Sequence, residues 1–454
     1  MKIGLLPFYT SLYSSKLRER LEPFCEEIAT MIEERGIEVV RNDFCMEVPD
    51  FEAAVAKFEN EDCDAIVTLH TAYSPGLSCE KALSNTELPI IVCDTTLTFD
   101  FSDNQNPGEI SYCHGIHGVM EMCNLLKKNG KAYAIAAGHY KESNVIDKVV
   151  GLIKAAKSAG SIKGSVVGSV SGYFEGMGDF RVDDDRMTEL FGAKVVYPEK
   201  GELKELIDSV TTEEIKTEKE RNAKDFEFIG DVDEDTYTRS VITDIAIRKW
   251  IEKRNLSALT INFRKLDYLY TMPFNATCRA MENKIGYAGE GDTLTALFTG
   301  AFLQGYDETS FIEIFCPDWK NNTLFISHMG EINYRVADKK PTMIEKAFIY
   351  GGENSSNPYA ATAAFKEGKA LFLNVFEDQD GFNILCAPVN VIKETTDLFQ
   401  KSVRGWLDFG APISEVLEKI SMHGVTHHSI MIYGADMAEI EFFAKIAGLK
   451  FCSI

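Results

Sequence analysis

The sequence predicts an α/β protein: two flavodoxin/Rossmann-like parallel-sheet domains followed by a β-rich, antiparallel, barrel-like C-terminal domain. Three observations carry that prediction. Apolar strand-like runs alternate with helical periodicities from Lys2 to about Gly305, the pattern of parallel sheets covered on both faces. After Gly305 short strands dominate, and their short connections favour antiparallel pairing. The 454 residues, 45% hydrophobic and 26% charged, have ordinary globular composition and suffice for several domains. The expected boundaries are 1–164, 165–306 and 307–454.

Each element follows from local pattern. Ile3–Pro7 reads as a first strand. Leu17, Leu21, Phe24, Ile28 and Ile32 recur at helical spacing, and Gly36 ends that helix. Ile37–Val40 is strand-like, Ala53–Phe58 helical, Ala65–Leu69 a strand, and Ile90–Cys93 another. His117–Lys128 and Ser143–Ser158 are helices stopped by Gly130 and Gly160, with strand Ala132–Ala137 between them. Ligands bind such sheets beyond the carboxyl ends of strands, so loops 8–14, 70–76 and 94–114 form the candidate edge. In the second segment, Ser165–Val170 and Leu256–Phe263 are strands, and Thr236–Glu252 and Pro273–Met281 are helices. The charged stretch 211–238 reads as a solvated helix and loop. In the third, strands are expected at Phe311–Phe315, Thr323–His328, Ala347–Tyr350, Ala370–Val375, Phe382–Pro388 and His428–Tyr433. Helices are expected there at Ile413–Met422 and Met437–Ile446.

Composition excludes several function classes. The formal charge is −23 and no long basic stripe occurs, which argues against nucleic acid, whose phosphates need clustered Lys and Arg. No apolar run approaches the ~20 residues of a membrane span, and the apolar start lacks a cleavage pattern. Eleven scattered cysteines without a Cys-x-x-Cys pair predict free thiols in a reducing cytoplasm. Nucleotide-binding glycine motifs and a Gly-x-Ser-x-Gly elbow are absent from the sequence.

Chemistry concentrates in a few positions. Glu290 stands in Gly286-Tyr287-Ala288-Gly289-Glu290-Gly291-Asp292, just before an apolar helix that Asp292 is placed to cap. Glu313 is flanked by bulky apolar residues, and His328 lies in Ile326-Ser327-His328-Met329-Gly330-Glu331. Three of the eight histidines, His423, His427 and His428, fall close together. A hairpin centred between Lys320 and Asn321 makes Glu313 and His328 direct cross-strand partners, with Cβ atoms ~5 Å apart. A one-residue slip would send them to opposite faces. His427 and His428, entering a strand, are expected on opposite faces, with one of them at most a ligand. Each residue alone also fits a bland role: turn carboxylate, ion pair or hydrogen-bonded histidine. Together, two Glu and two His make an oxygen–nitrogen set suited to Mn²⁺, with Co²⁺ and Mg²⁺ as competitors.

These residues resemble the L-arabinose isomerase family of aldose–ketose isomerases, with L-fucose isomerases as more distant relatives. Gly286–Asp292 is similar to the family's Gly-Tyr-Gly-Phe-Ala-Gly-Glu-Gly-Asp. Thr309–Glu313 resembles Thr-Ser-Phe-Met-Glu, Ser327–Glu331 resembles Ser-His-Met-Leu-Glu, and His427-His428 matches a His-His pair. Upstream, His70–Pro75, Cys113-His114-Gly115 and Gly178–Arg181 resemble further family motifs in the same order. The resemblance implies a Mn²⁺ site from Glu290, Glu313, His328 and His428, with Glu290 and Glu313 as the catalytic proton carriers. It implies sugar contacts from Thr10, Leu12, Tyr73, His114, Phe180, Phe263, Tyr350 and His427. It also implies a homo-oligomer, a hexamer, with active sites at subunit interfaces that His114 reaches from a neighbour. Thr10 replaces a sugar-contacting Gln of the family, Phe180 a Met and Tyr350 an Ile. The pocket is thereby more aromatic, which suits a deoxy or otherwise altered sugar.

The expected function is thus a metal-dependent aldose–ketose isomerase acting on a free pentose, deoxyhexose or substituted hexose by enediol proton transfer. The alternative is a non-catalytic sugar-binding or sensor protein on the same scaffold.

Overall fold

The computed structural model describes residues 1–13, 15–349, 356–396 and 398–454. The chain divides into two compact units, residues 1–160 with 438–446, and residues 161–437 with 447–454.

The first unit is a five-stranded parallel sheet. Its strands are β1 (Lys2–Phe8), β2 (Glu38–Arg41), β3 (Ala65–His70), β4 (Ile90–Asp94) and β5 (Tyr133–Ala137), ordered β2-β1-β3-β4-β5. That is the flavodoxin-like doubly wound order. Every residue of β3 is buried, which explains its unbroken apolar run rather than an alternation. Helices Ser15–Glu33, Val48–Asn60, Gly76–Asn85 and Ile116–Lys128 fill the crossovers, and Val145–Gly160 follows the last strand. The glycine stops at 36 and 130 both adopt positive φ.

The second unit starts with a four-stranded parallel sheet. It uses β6 (Val166–Val170), β7 (Lys194–Val196), and, beyond the two-residue β8 (Glu227–Phe228), β9 (Ala258–Ile261) and β10 (Gly286–Gly289). The order is β10-β9-β6-β7. The charged stretch forms the helix Thr212–Asp225, capped by a reciprocal Thr211–Glu214 box. The acidic run leads into helix Glu234–Arg254, with Asp233 as its N-cap.

The barrel follows. Its strands are β11 (Thr309–Asp318), β12 (Thr323–Ser327), then, after β13 (Thr342–Glu345) and β14 (Tyr359–Thr362), β15 (Gly368–Asp378), β16 (Gly381–Ile392), β17 (Gly405–Asp408) and β18 (His428–Tyr433). Antiparallel pairing runs β15-β18-β11-β12-β17-β16 and closes through β16 on β15. The last strand, β19 (Lys450–Ser453), adds in parallel to β16. Ile312, Leu324, Ile326, Phe372, Leu385, Leu407 and Met431 belong to one buried cluster, each side chain contributing roughly 1.5–3 kcal/mol on leaving water.

One strand differs from expectation. Ala347–Tyr350 was expected as a strand, but β13 lies earlier, at Thr342–Glu345, where it joins β14 and β8. Residues 347–349 form no strand, and Tyr350 lies outside the described residues. A short apolar run does not by itself distinguish a strand from a buried loop; here the pairing partners, not the run, decide.

Candidate functional site

β10 delivers Glu290. Its backbone sits in the left-handed region at φ 64°, a conformation costing a non-glycine residue about 1–3 kcal/mol. Two main-chain bonds hold it there: the Glu290 N–H donates to the Ile261 carbonyl (3.1 Å), and its carbonyl accepts from Phe174 N–H (2.9 Å). Gly291, at φ 93°, passes so close to the Gly172–Tyr173 backbone that a Cβ would lie 2.4 Å from the Gly172 carbonyl oxygen. The turn ends at Asp292, which caps helix Thr293–Gly305 by accepting from Thr295 N–H at 2.8 Å.

The barrel delivers the other groups. In β11, Glu313 pairs directly with His428 of β18. The Glu313–His328 register is a correction. The outer hairpin pairs as expected, Asp318 with Thr323 and Cys316 with Phe325, but a bulge between Ile314 and Cys316 shifts the inner pairing by one. Glu313 therefore faces Ser327, and His328 follows the strand end. The bulge re-aims the chain locally, and the two side chains still converge, with Nε2 of His328 3.7 Å from Oε2 of Glu313.

A second expectation fails. His427 and His428 do not diverge: their rings are 4.3 Å apart, and their Nε2 atoms lie 3.4 Å and 3.5 Å from the same Glu290 oxygen. β18 begins at His428, so His427 occupies the preceding bend, where strand alternation does not apply. His423 ends helix Ile413–His423 and is exposed.

All three imidazoles are oriented alike. His328 Nδ1–H donates to Glu331 (2.6 Å), His428 Nδ1–H to Asp292 (3.0 Å) and His427 Nδ1–H to Asp179 (2.7 Å). A carboxylate only accepts, so Nδ1 carries the hydrogen and Nε2 is turned towards Glu290 and Glu313. Glu331 is itself held by Tyr287 O–H (2.9 Å) and Gly330 N–H (2.8 Å).

Charge is balanced by these contacts. Burial would raise the Glu290 carboxyl, but the nearby His427 and His428 imidazoles hold it well below the usual carboxylate range. Glu313 lacks such bonds, and burial pushes it up. Burial opposes charge on His427 and His428, yet Asp179, Asp292 and Glu290 raise them to about 10 and about 9. Burial likewise works against the His328–Glu331 pair, but their contact keeps the proton on His328.

Two ligand groups each gather within 4.8 Å, Glu290–His427–His428 and Glu313–His328–His428. His428 Nε2 is fully buried and has no hydrogen-bond partner. A buried imidazole nitrogen left without a hydrogen-bond partner beside two carboxylates suits a divalent ion, which would take the place of the proton that the carboxylates otherwise hold on the ring. Phe311 closes the site, edge-on to His328 (4.9 Å) and His428 (5.0 Å).

The remaining sequence-predicted residues divide between the units. In the second, Phe180 is buried and stacks on His428 at 5.0 Å and 13°, while Phe263 packs on Phe174 at 5.3 Å. In the first, Thr10 is buried, Leu12 is 73% exposed, Tyr73 donates to Glu121 (3.3 Å), and His114 Nε2 meets the Tyr13 hydroxyl at 2.8 Å. Sequence reasoning assigned no role to Asp179 or Glu331 and only a cap to Asp292. All three lie inside the family-like motifs, but only Glu331, three residues from His328, stands near its histidine in sequence, whereas Asp292 and Asp179 lie 136 and 248 residues from theirs.

Residues 181–303 match the family model of the L-arabinose isomerase central domain, and residues 308–450 match that of its C-terminal domain. Together they take in more than half of the chain. The chain belongs to the L-arabinose isomerase family. That family consists of sugar isomerases, intramolecular oxidoreductases that interconvert aldoses and ketoses, and the chain is an enzyme of this kind. The L-arabinose isomerase of Saccharophagus degradans is 22% identical over 438 residues, 94% of this chain and 86% of its own. That of Yersinia pestis is 24% identical, covering 89% and 84%, and that of Shouchella clausii 22%, covering 86% and 81%. A solute-binding protein of Agrobacterium vitis, solved with bound alpha-D-tagatopyranose, aligns at 14% identity over 58% of this chain and 76% of its own, with a TM-score of 0.15, too low to bear on the fold. Among the described residues no helix is long and apolar enough to cross a membrane.

Proposed function

We propose that this family member is a metal-dependent isomerase of a free sugar, a pentose, deoxyhexose or substituted hexose. Glu290, Glu313, His328 and His428 would hold a divalent ion, Mn²⁺, with Co²⁺ and Mg²⁺ as competitors. The observation that carries the reading is the buried, partnerless His428 Nε2 aimed at Glu290. When bound, the ion supplies Lewis-acid polarisation of neighbouring sugar oxygens.

The chain's own residues do the proton work. One carboxylate of the Glu290–Glu313 pair removes the proton from sugar C2 while the other, starting protonated, gives its proton to O1, yielding the enediol. The second group, now a carboxylate, then takes the O2 hydroxyl proton as the first returns its proton to C1, giving the ketose. General acid–base groups of this kind contribute about 10²–10⁴-fold each. The opposite displacement of the two carboxyls from their usual range supports different duties for them. Phe180, Phe311 and Phe263 exclude water, and the more aromatic wall favours a deoxy or altered sugar.

The reading extends to sugar contacts from Thr10, Leu12, Tyr73, His114, Phe180, Phe263, Tyr350 and His427. It extends to a three-part chain divided near 164 and 306, and to a cytoplasmic homo-oligomer, a hexamer with sites at its subunit interfaces. The eleven free cysteines support a reducing compartment.

The test is a panel of free pentoses, hexoses and 6-substituted hexoses assayed with Mn²⁺ and after thorough chelation. Turnover lost on chelation and restored by Mn²⁺, and lost in Glu290→Gln and Glu313→Gln, is expected. Full turnover after chelation refutes the metal role. Binding of sugar without turnover would make the protein a sensor instead.

A further inference from the structure

The three carboxylate–histidine pairs are chemically alike but not equally placed. The His328–Glu331 and His428–Asp292 side chains are at most 2% exposed. His427 and Asp179 are 33% and 38% exposed. His427 is therefore the imidazole on the open side of Glu290, where a substrate arrives.

Asp179 grips it twice. One carboxylate oxygen accepts from both the His427 main-chain N–H (2.9 Å) and its Nδ1–H (2.7 Å). The first bond fixes where the bend sits; the second fixes the ring and leaves Nε2 facing Glu290 Oε2 at 3.4 Å. The next residue, Phe180, lies flat on His428 and tilts against His427 at 5.4 Å. One dipeptide on the loop after β6 thus aligns both histidines of β18 and its entry bend. Among the described residues nothing on the barrel replaces it: the bond partners of the His427 ring are Asp179 and Glu290.

We propose that Asp179 is a positioning residue for sugar turnover, holding His427 so that its Nε2 meets a substrate hydroxyl beside Glu290. The proposal rests on the isomerase reading given above. A triad-like logic applies: a carboxylate that sets a histidine's tautomer and orientation matters to rate through that histidine.

The experiment compares Asp179→Ala and Asp179→Asn with the wild-type full chain, using Mn²⁺ and the sugar from the panel that the wild type turns over fastest. In Asp179→Ala, kcat is expected to fall about 10–100-fold. KM, Mn²⁺ affinity from titration calorimetry and melting temperature are expected to stay near wild type. Asp179→Asn keeps an acceptor oxygen for both N–H groups and is expected to recover part of the loss. The proposal is overturned if Asp179→Ala keeps wild-type kcat, or if its loss merely follows weaker Mn²⁺ binding or a lower melting temperature. A wild type that turns over no sugar overturns the isomerase reading and this one together; an active wild type with an unaffected variant overturns this one alone.

Discussion

Replacing Gly289 by alanine sets a methyl group against the ring of His328. A Cβ at 289 would stand 2.9 Å from His328 Cε1 and 3.1 Å from Nε2. Relaxed carbon contacts lie near 3.5–4.0 Å, so the ring must retreat by about half an ångström or more. It cannot pivot freely, because Nδ1 is tied to Glu331 at 2.6 Å. Ligand atoms tolerate displacements of only about 0.2–0.5 Å. Mn²⁺ affinity should therefore fall about 10–100-fold, some 1.4–2.7 kcal/mol. Gly289 is not among the positive-φ glycines, so alanine adds no backbone strain and the overpacking costs stability only about 1–3 kcal/mol. Titration calorimetry with Mn²⁺ on chelator-stripped protein measures the first quantity, and thermal unfolding of the same sample measures the second. Wild-type Mn²⁺ affinity in Gly289→Ala would refute the claim that His328 Nε2 is a ligand in the position described.

Two further outcomes concern stability. Asp244 is buried, and that burial raises its carboxyl to about 7 although Ala276 N–H and Asn275 donate to it. The folded state thus holds a proton that the unfolded chain releases above its ordinary carboxylate range. Stability is fully supported below about pH 4 and declines as pH rises to about 7, by up to about 4 kcal/mol. Melting curves from pH 5 to 8 should show this decline, and Asp244→Asn should flatten it; an unchanged slope in the variant assigns the effect elsewhere. Arg404 and Glu394 form a buried two-pronged pair, both bonds 2.7 Å. Glu394→Ala strands the guanidinium and should cost roughly 3–5 kcal/mol in denaturant unfolding, whereas a loss under 1 kcal/mol would mean that water replaces the carboxylate.

The legible parts of the fold are those where local pattern and burial coincide. β3 and β4 are buried along nearly their whole length, so uninterrupted apolar runs announce them. Helix Ile116–Lys128 buries Val119, Met122, Cys123 and Leu126, a helical spacing visible in one dimension. Glu290, Glu313, His328 and His428 were legible as residue types in motifs. The hairpin pattern anticipated the approach of Glu313 and His328 but not the bulge that shifts their register by one, and the arrival of Glu290 and His428 from other strands is encoded by nothing local. The same holds for His427, whose aim is set by Asp179 far away in the chain. β13 escaped detection because it is only four residues long and pairs with the equally short β14 and with two residues of the distant β8.

The closure of the barrel has a consequence for how the site comes into being. Glu313 and His428 are ladder neighbours although more than a hundred residues separate them in the chain. His428 lies on β18, which is seamed between β11 and β15, and β15 in turn completes the ring through β16. Loop-closure entropy must be overcome before so distant a pair gains anything from meeting. Glu290 is contributed from outside the ring, by the parallel sheet. A partial fold without the β11–β18 seam cannot hold the full donor set, and the appearance of ion binding during refolding would time the moment at which those two strands join.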